Sequence, residues 1–300
     1  MLFCIFSFNR GQFLQNCVDS IERCAPGARI AVFDDNSYDE ATKDVLARLA
    51  ERHTVIQPGH NSQRRLGGLY GNMQSALDYA RDEALVCYLQ DDTQMVRPLT
   101  DADVAAINAL FDGDEKIGFV SPCFLRGRNR QRDLASMQFD PERSIYFRTG
   151  SAQSAGQHFS ALLIMRPARL AAAGWSFGRS EPENDRQAKQ LFGPMAYLKA
   201  PFAMWLPEVP TYRGKRKTLA LKIAERQRRS GYFPFRILTE EEVAALRNRS
   251  PEVLPIAEDF LSCSNGDPKK PWAYHPMQDD RWLQKLSSVE LALRRWFRIG

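Results

Sequence analysis

The stretch Leu85-Val-Cys-Tyr-Leu-Gln-Asp-Asp92 joins a continuous apolar run to two adjacent carboxylates. The run from Leu85 to Leu89 predicts a buried strand, because it leaves no face for solvent. Two acids directly after such a strand lie at the carboxyl edge of an open α/β sheet, where ligands bind. Carboxylate oxygens there suit Mg²⁺ or Mn²⁺, and such a cation can hold a diphosphate. The alternative is an ordinary acidic turn, since Asp is frequent in turns.

The first 120 residues alternate strand and helix periodicities, which predicts repeated βαβ units. Strands are predicted at 2–6, 29–33 and 54–56, and helices at 12–24, 39–53 and 70–83. Such units build a mainly parallel sheet flanked by helices, so the predicted fold class is α/β. A second acidic pair, Asp34-Asp35, follows the 29–33 strand as Asp91-Asp92 follows the later one.

The second half of the chain has a weaker pattern. Strands are predicted at 118–122 and 158–165, with a polar excursion at 126–147 between them. We expect a main domain over 1–215, made of halves 1–125 and 126–215. Residues 216–300 are predicted to form a helical and irregular extension, which ends in a basic amphipathic stretch from Ser287 to Ile299.

Composition is that of an ordinary globular protein, with 44% hydrophobic and 26% charged residues and a formal net charge of +5. No nucleic-acid-binding motif accompanies the basic residues, so nucleic acid is not an expected partner. The six cysteines form no Cys-x-x-Cys pair, which favours a reducing compartment over a zinc site or disulfide framework. No apolar run approaches the roughly 18–20 residues that span a bilayer, and the amino terminus is unlike a signal peptide. We therefore expect a cytoplasmic protein.

Gly-rich nucleotide-binding loops do not occur in this sequence. Neither G-x-G-x-x-G nor G-x-x-x-x-G-K-S/T is found, which disfavours a dinucleotide or P-loop site. A nucleotide phosphate bound without such a loop needs a cation bridge, and Asp91-Asp92 can supply its ligands.

Four motifs in order resemble the opening of family 2 glycosyltransferases. They are Ile5-Phe-Ser-Phe-Asn-Arg10, Ile30-Ala-Val-Phe-Asp-Asp-Asn-Ser37, Gly67-Gly-Leu69 and Asp91-Asp92. From Asp35 to Asp92 the separation is 57 positions, which is usual in that family. The resemblance is clear over 1–125 and weaker up to residue 215. It implies the GT-A fold, with the donor nucleotide-sugar bound by the first half and the acceptor by the second.

The resemblance assigns roles on the donor side. Asp35 resembles the acid that hydrogen-bonds the base, and a carboxylate suits the imide N–H of uracil or thymine. Ser7 and Phe8 resemble residues lining the base pocket, although Phe8 also suits the core. Asp91 resembles the acid at the ribose or second metal position. Asp92 resembles the direct ligand of Mn²⁺ or Mg²⁺, the Lewis acid that neutralises the leaving diphosphate.

The chain also departs from the family pattern. Met73-Gln74 stands where the family often has Ala-Arg-Asn, and no His follows the late Leu206-Pro-Glu-Val-Pro210 segment. Arg64 or Arg65 is a candidate contact for the base or phosphates, and a solvated arginine is the alternative. Arg213 or Lys215 is a candidate contact for the leaving diphosphate.

The general base is expected in the second half. Gly174-Trp-Ser-Phe-Gly178 resembles the turn before the family's acidic motif, and Glu181, Glu183 and Asp185 follow it. Inverting members use such an acid to deprotonate the acceptor hydroxyl. We place Glu183 first, Asp185 second and Glu181 third, and an acidic helix N-terminus is the alternative. His158 is a candidate for the acceptor pocket or a structural residue.

The predicted function is a metal-dependent, inverting glycosyltransferase. It would move a sugar from a UDP- or dTDP-linked donor to a glycan or glycolipid acceptor, such as a growing bacterial surface polysaccharide. A nucleotidyltransferase is one alternative, and a non-catalytic nucleotide-sugar-binding protein, with Glu183 and Asp185 turned away from the metal, is another. The final amphipathic stretch suits peripheral membrane contact, packing onto the domain, or a homodimer.

Overall fold

The structure is a computed structural model that describes residues 1–57, 68–150, 156–211, 217–278 and 280–296. Within these residues a nine-stranded sheet forms the centre of the molecule. Its strands, in spatial order, are β3 (Thr54–Ile56), β2 (Arg29–Asp34), β1 (Leu2–Ser7), β4 (Val86–Gln90), β9 (Leu163–Met165), β6 (Val120–Ser121), β10 (Ala196–Leu198), β8 (Ile145–Arg148) and β7 (Met137–Asp140). A second, two-stranded sheet pairs β5 (Thr93–Met95) with β11 (Ala203–Trp205).

Helices flank the main sheet on both faces. Those in the described residues are α1 (Gly11–Cys24), α2 (Glu40–Ala50), α3 (Leu69–Tyr79), α4 (Asp101–Gly113), α5 (Arg130–Ser136), α6 (Pro167–Ala172), α7 (Glu181–Leu191), α8 (Leu219–Arg228), α9 (Glu240–Asn248), α10 (Ala257–Phe260) and α11 (Arg281–Trp296). Successive residues of a strand point to opposite faces, so β1 contributes to two cores. Phe3 and Ile5 pack with α1, α2 and α4, whereas Cys4 and Phe6 pack with α3, α6 and α7.

The first four strands of the main sheet are parallel to one another. The register pairs Phe6 of β1 with Phe33 of β2 and with Gln90 of β4, and β3 extends the same pairing beyond β2. Strands β9, β8 and β7 add antiparallel pairings further along the sheet. This arrangement confirms the predicted α/β class with a mainly parallel sheet and flanking helices.

Two predictions for the second half need correction. The supposed polar excursion at 126–147 contains α5 and the β7–β8 hairpin at the sheet edge. A buried ion pair between Arg148 and Asp133, 3.0 Å apart, joins this hairpin to α5. Because both residues are charged, the sequence of this segment resembles that of an exposed loop. The strand predicted at 158–165 is confined to Leu163–Met165.

The carboxyl-terminal extension shares a core with the main domain. Phe235, Leu246 and Trp272 pack with Val96 and Met204 in one buried cluster. The predicted boundary at residue 215 falls within 212–216, outside the described residues, as do residues 297–300 of the final amphipathic stretch.

Helix α11 begins at Arg281, earlier than the predicted Ser287. In the part of the chain that the structure describes, no helix has the length and apolar character needed to cross a membrane.

Candidate active site

The donor-side residues predicted from the sequence meet at the carboxyl edge of three adjacent strands. Strand β1 lies between β2 and β4, so the residues that follow these strands become neighbours. The backbone N–H of Asp35 donates to the carbonyl of Ser7 at 2.9 Å. The backbone N–H of Phe8 donates to Asp91 Oδ2 at 3.1 Å. Asp92 follows Asp91 in the turn between β4 and β5.

Arg10 binds both acids of the Asp91-Asp92 pair. Its Nη1 lies 2.7 Å from Asp92 Oδ2 and 3.3 Å from Asp91 Oδ1. Its Nη2 donates to the carbonyl of Pro210 at 3.4 Å. Burial raises the pKa of Asp91 to about 7, and the positive charge of Arg10 opposes that rise. Arg10 is the last residue of the first family motif, Ile5–Arg10, but no role was predicted for it. Its position three residues after the end of β1 was the available signal.

Several buried polar atoms at this edge lack a hydrogen-bond partner among the described residues. They are Ser7 Oγ, Asn9 Nδ2 and Asp92 Oδ1. Buried polar atoms in folded proteins are nearly always paired with protein, water or ligand. Three such atoms at the ends of adjacent strands are therefore candidate contacts for a polar ligand.

The acidic pair fits a divalent cation that is completed by a ligand. No group of three or more His, Cys, Asp or Glu side chains in the described part of the chain is placed to hold a metal ion. Mg²⁺ is commonly bound through one or two carboxylates together with substrate phosphates. Both oxygens of Asp91 are engaged by Phe8 and Arg10. The unpaired Asp92 Oδ1 is therefore the oxygen that can coordinate.

The two acids of the upstream pair have different roles. Asp34 is fully buried and accepts hydrogen bonds from the backbone N–H of Ser37 at 2.8 Å and from Gln57 at 2.9 Å, so it fixes the loop. Asp35 is half-buried, and its two oxygens accept the backbone N–H of Gly68 at 2.9 and 3.0 Å. Gly68, with a φ of +88°, precedes the first residue of α3. Asp35 thus joins β2 to the start of α3 and keeps lone pairs for a further donor.

Phe8 is not a member of the buried core clusters. It is half-buried, and its ring meets Tyr38 edge-on with centroids 6.1 Å apart. Other donor-side candidates, namely Arg64, Arg65, Gly67, Arg213 and Lys215, lie outside the described residues.

The acids predicted as general base lie in the first turns of α7. Glu183 is exposed, and its Oε2 accepts the backbone N–H of Arg179 at 2.8 Å. Asp185 Oδ1 accepts the backbone N–H groups of His158 and Phe159 at 2.9 and 3.0 Å. These contacts give both acids a structural role. The second set uses backbone N–H groups that a longer β9 strand would donate to a neighbouring strand.

His158 is buried, and its Nδ1 lies 3.1 Å from the carbonyl oxygen of Gly193. This contact supports the structural interpretation of His158.

Glu181, the third choice from the sequence, lines a cavity of about 160 Å³ at the ligand-binding edge of the sheet. Glu181 is exposed overall, as Glu183 is, yet partial burial of its carboxyl raises its pKa, a shift that the charge of Arg126 opposes and that of Asp185 reinforces. Glu181 also adds to the effect of burial in raising the pKa of Tyr70, near the start of α3. Glu181 thus lies near enough to the start of α3 to act on Tyr70 electrostatically.

The cavity adjoins the acidic pair through Trp205. The guanidinium of Arg126 lies 4.1 Å from the Trp205 ring centre and 4.7 Å from that of Tyr274. The residue after Trp205, Leu206, donates its N–H to the Asp92 carbonyl at 2.8 Å. Sequence reasoning did not identify this aromatic-arginine stack, because its members are far apart in the chain.

A larger cavity, of about 510 Å³, lies away from this site. Its lining includes Leu2, Arg29 and Thr54, the first residues of β1, β2 and β3. It therefore opens at the amino edge of the sheet, whereas ligands of open α/β sheets bind at the carboxyl edge. We place the functional site at the smaller cavity and the acidic pair.

Comparison with known families identifies the amino-terminal half. Residues 3–147 match the model of Glycosyl transferase family 2. The chain carries a family 2 glycosyltransferase domain. The match confirms the predicted family and enzyme class, and the observed sheet agrees with the GT-A fold. At the level of sequence, no curated protein matches the chain.

Solved structures that resemble the chain are distant. TarS of S. aureus (residues 1–349, in complex with UDP) is 14% identical, with a TM-score of 0.47 over 68% of this chain and 60% of that one. The mannosyltransferase PcManGT from Pyrobaculum calidifontis, in complex with GDP-Man and Mn²⁺, is 17% identical, with a TM-score of 0.45 over 98% and 74%. GalNAc-T7 with UDP, GalNAc and Mn²⁺ is 14% identical, with a TM-score of 0.49 over 94% and 56%. The chain thus spans less than two thirds of the TarS and GalNAc-T7 chains.

Proposed function

We propose that this protein transfers a sugar from a uridine or thymidine diphosphate sugar to a hydroxyl of a glycan or glycolipid. The observation that carries the proposal is the set of unpaired buried polar atoms beside the Asp91-Asp92 turn, within the family 2 domain. Asp35 supports the choice of base, because its carboxylate can accept the imide N–H of uracil or thymine.

Glu181 is the general base that the geometry favours over Glu183 and Asp185. It lines the cavity beside the acidic pair, whereas the other two carboxylates bind backbone N–H groups. In an inverting transfer, Glu181 takes the proton of the acceptor hydroxyl as that oxygen bonds to the anomeric carbon. The bond from that carbon to the diphosphate breaks on the opposite side, and the electron pair leaves with the diphosphate.

The acidic pair serves the leaving group. Asp92, through Oδ1, together with phosphate oxygens of the donor, would hold Mn²⁺ or Mg²⁺. When bound, the cation supplies Lewis-acid stabilisation of the diphosphate charge. Arg10 holds the other oxygen of Asp92 and so keeps Oδ1 directed for coordination.

A thermal-shift titration with UDP, dTDP, GDP and CDP, each with and without Mn²⁺, tests the donor site. A ligand that binds only the folded state raises the Tm by mass action. We expect UDP or dTDP to give the largest shift, with Mn²⁺ increasing it. Asp92→Asn should abolish the increase, and Asp44→Asn, at an exposed position on α2, should leave it intact.

Absence of a shift with every nucleotide would refute the donor site. A shift without release of UDP or dTDP from the sugar donor, across a panel of acceptors, would favour a non-catalytic binding protein. Pyrophosphate release from UTP or dTTP would instead establish a nucleotidyltransferase.

A further inference from the structure

Helix α11 carries an exposed apolar stripe along one side. Its members recur at spacings of four and three residues, which places them on one face of a helix. They are Trp282, Leu286, Val289, Leu293 and Trp296. The two tryptophans are 69% and 80% exposed, although Trp is usually well buried in folded proteins. At 1.5 Å per residue the stripe is about 21 Å long.

A different face of α11 attaches the helix to the rest of the protein. Leu283 packs against Ala220 and Ala224 of α8 in a small separate core. Ser287 Oγ lies 2.9 Å from Thr218 Oγ at the start of α8. Since Leu283 and Ser287 lie on the side of the helix away from the stripe, packing onto α8 leaves the stripe exposed.

The charges around the stripe are predominantly positive. Exposed basic residues lie on both helices, namely Arg281 and Lys285 on α11 and Lys222 and Arg226 on α8. The acids of the two helices are engaged internally. Glu290 accepts from Arg294 at 2.6 Å and from the Leu219 N–H at 2.7 Å, and Glu225 accepts from Lys217 at 2.7 Å.

Leu219 and Ile223 add apolar surface on α8. Both are exposed, and the N–H of Leu219 bonds to Glu290, the residue after Val289 of the stripe. An apolar stripe with Trp at both ends and exposed Lys and Arg nearby is the pattern of helices that lie in a membrane interface.

The α11 stripe together with Leu219 and Ile223 of α8 forms one exposed surface, the α8–α11 face. We infer that this face docks on the surface of an anionic membrane, with α11 parallel to the bilayer and its stripe in the headgroup region. Trp rings favour that region, and the basic residues are attracted to anionic headgroups. A second copy of the chain is a poorer occupant, because two such faces would bring like charges together. The inference uses no residue of the nucleotide site and is independent of the proposed reaction.

Vesicle flotation with the full chain tests this inference. Phosphatidylcholine vesicles are compared with vesicles in which a third of the lipid is phosphatidylglycerol. We expect binding to the anionic vesicles, a blue shift of Trp emission on binding, and weaker binding at high salt. The double variant Trp282→Ser/Trp296→Ser should bind at least about tenfold more weakly. Leu134→Ser, which removes an exposed apolar residue of α5, should bind like the wild type.

Three results would overturn the inference. One is no binding to anionic vesicles, and another is binding that the double Trp variant retains in full. The third is a concentration-dependent dimer in sedimentation that the double Trp variant abolishes, since the stripe would then serve self-association. Both Trp side chains are exposed, so an unchanged Tm is expected for the variant and checks that a loss of binding is not a loss of fold.

Discussion

Arg10 donates to Asp92 Oδ2 over 2.7 Å and also reaches Asp91, so one cation holds two adjacent carboxylates. Breaking a buried pair by removing one partner leaves a charge without compensation. We expect Arg10→Gln to lower the free energy of unfolding by about 3 kcal/mol, measured by urea denaturation. Asp92→Asn in the same chain should recover part of the loss, because it removes one of the two repelling acids.

A matched control for Arg10 is the surface pair of Arg29 and Glu83, whose N–O distance is 2.5 Å. Arg29 is exposed, and solvent screens exposed pairs, so Arg29→Gln should change stability little. Equal losses in the two variants would show that the Arg10 contact has no special energetic role.

Glu181→Gln is expected to reduce turnover at least about 100-fold, because the acceptor hydroxyl would lose its base. The nucleotide-induced rise in Tm should persist, since Glu181 is not assigned to the donor. Glu183→Gln is the matched control, and its turnover should stay close to the wild type. The opposite result, loss in Glu183→Gln alone, would return the role of base to the first sequence-based choice.

The same assignment predicts a pH profile. Burial raises the pKa of Glu181 above its ordinary value of 4.5, and a base acts only when ionised. The acidic limb of kcat/KM should therefore lie above pH 4.5, with activity falling as pH decreases through the raised pKa. An acidic limb at or below the ordinary value would contradict Glu181 as the base.

Gln94 links the acidic turn to the carboxyl-terminal extension. Its side chain donates to the Phe235 carbonyl at 2.7 Å and accepts the Phe235 N–H at 2.9 Å. Gln94→Leu should leave that backbone unpaired and cost about 2 kcal/mol in the free energy of unfolding. Gln138→Leu, at an exposed position on β7, is the control. A loss no larger than the control's would show that solvent replaces the Gln94 contacts.

The cysteines provide a test of the folded core. All six are free thiols, and burial raises the pKa of each, to about 11 for Cys24 and about 12 for Cys263. Because the thiolate is the reactive form, a thiol reagent at pH 8 should label the native protein only very slowly. Denaturant should release six equivalents. Rapid labelling of the native chain would contradict the observed burial.

The sequence predicted the first half of the fold closely because each element there follows a single local pattern. Strand β1 is apolar throughout, and α1 repeats Leu14, Cys17 and Ile21 on one face, all buried. The β7–β8 hairpin was not predicted, because its polar composition conceals the buried Arg148–Asp133 pair. Such a pair depends on tertiary contact, and no local periodicity records it.

The grouping of donor-side residues was also predictable, because strand-end positions follow from the order of parallel strands. The choice among Glu181, Glu183 and Asp185 was not. Helical spacing separates Glu183 from Glu181 and Asp185, which share one face of α7. Which of those two acids lines the cavity depends on where Arg126 and Trp205 pack. Those residues come from distant segments, so only the folded chain relates them.

The pairing of β5 with β11 has a consequence for how the protein is made. Residues 3–147 include both acidic pairs, yet β5 obtains its partner strand only from 203–205, and Gln94 its contacts only from Phe235. On a ribosome, the turn that holds Asp91 and Asp92 is therefore synthesised early, whereas the residues that pair with the following strand β5 are synthesised much later. Nascent chains that end before residue 235 will carry the whole family match but will lack these contacts to β5. We therefore expect nucleotide binding, if measured on stalled chains, to begin only once Phe235 has been made.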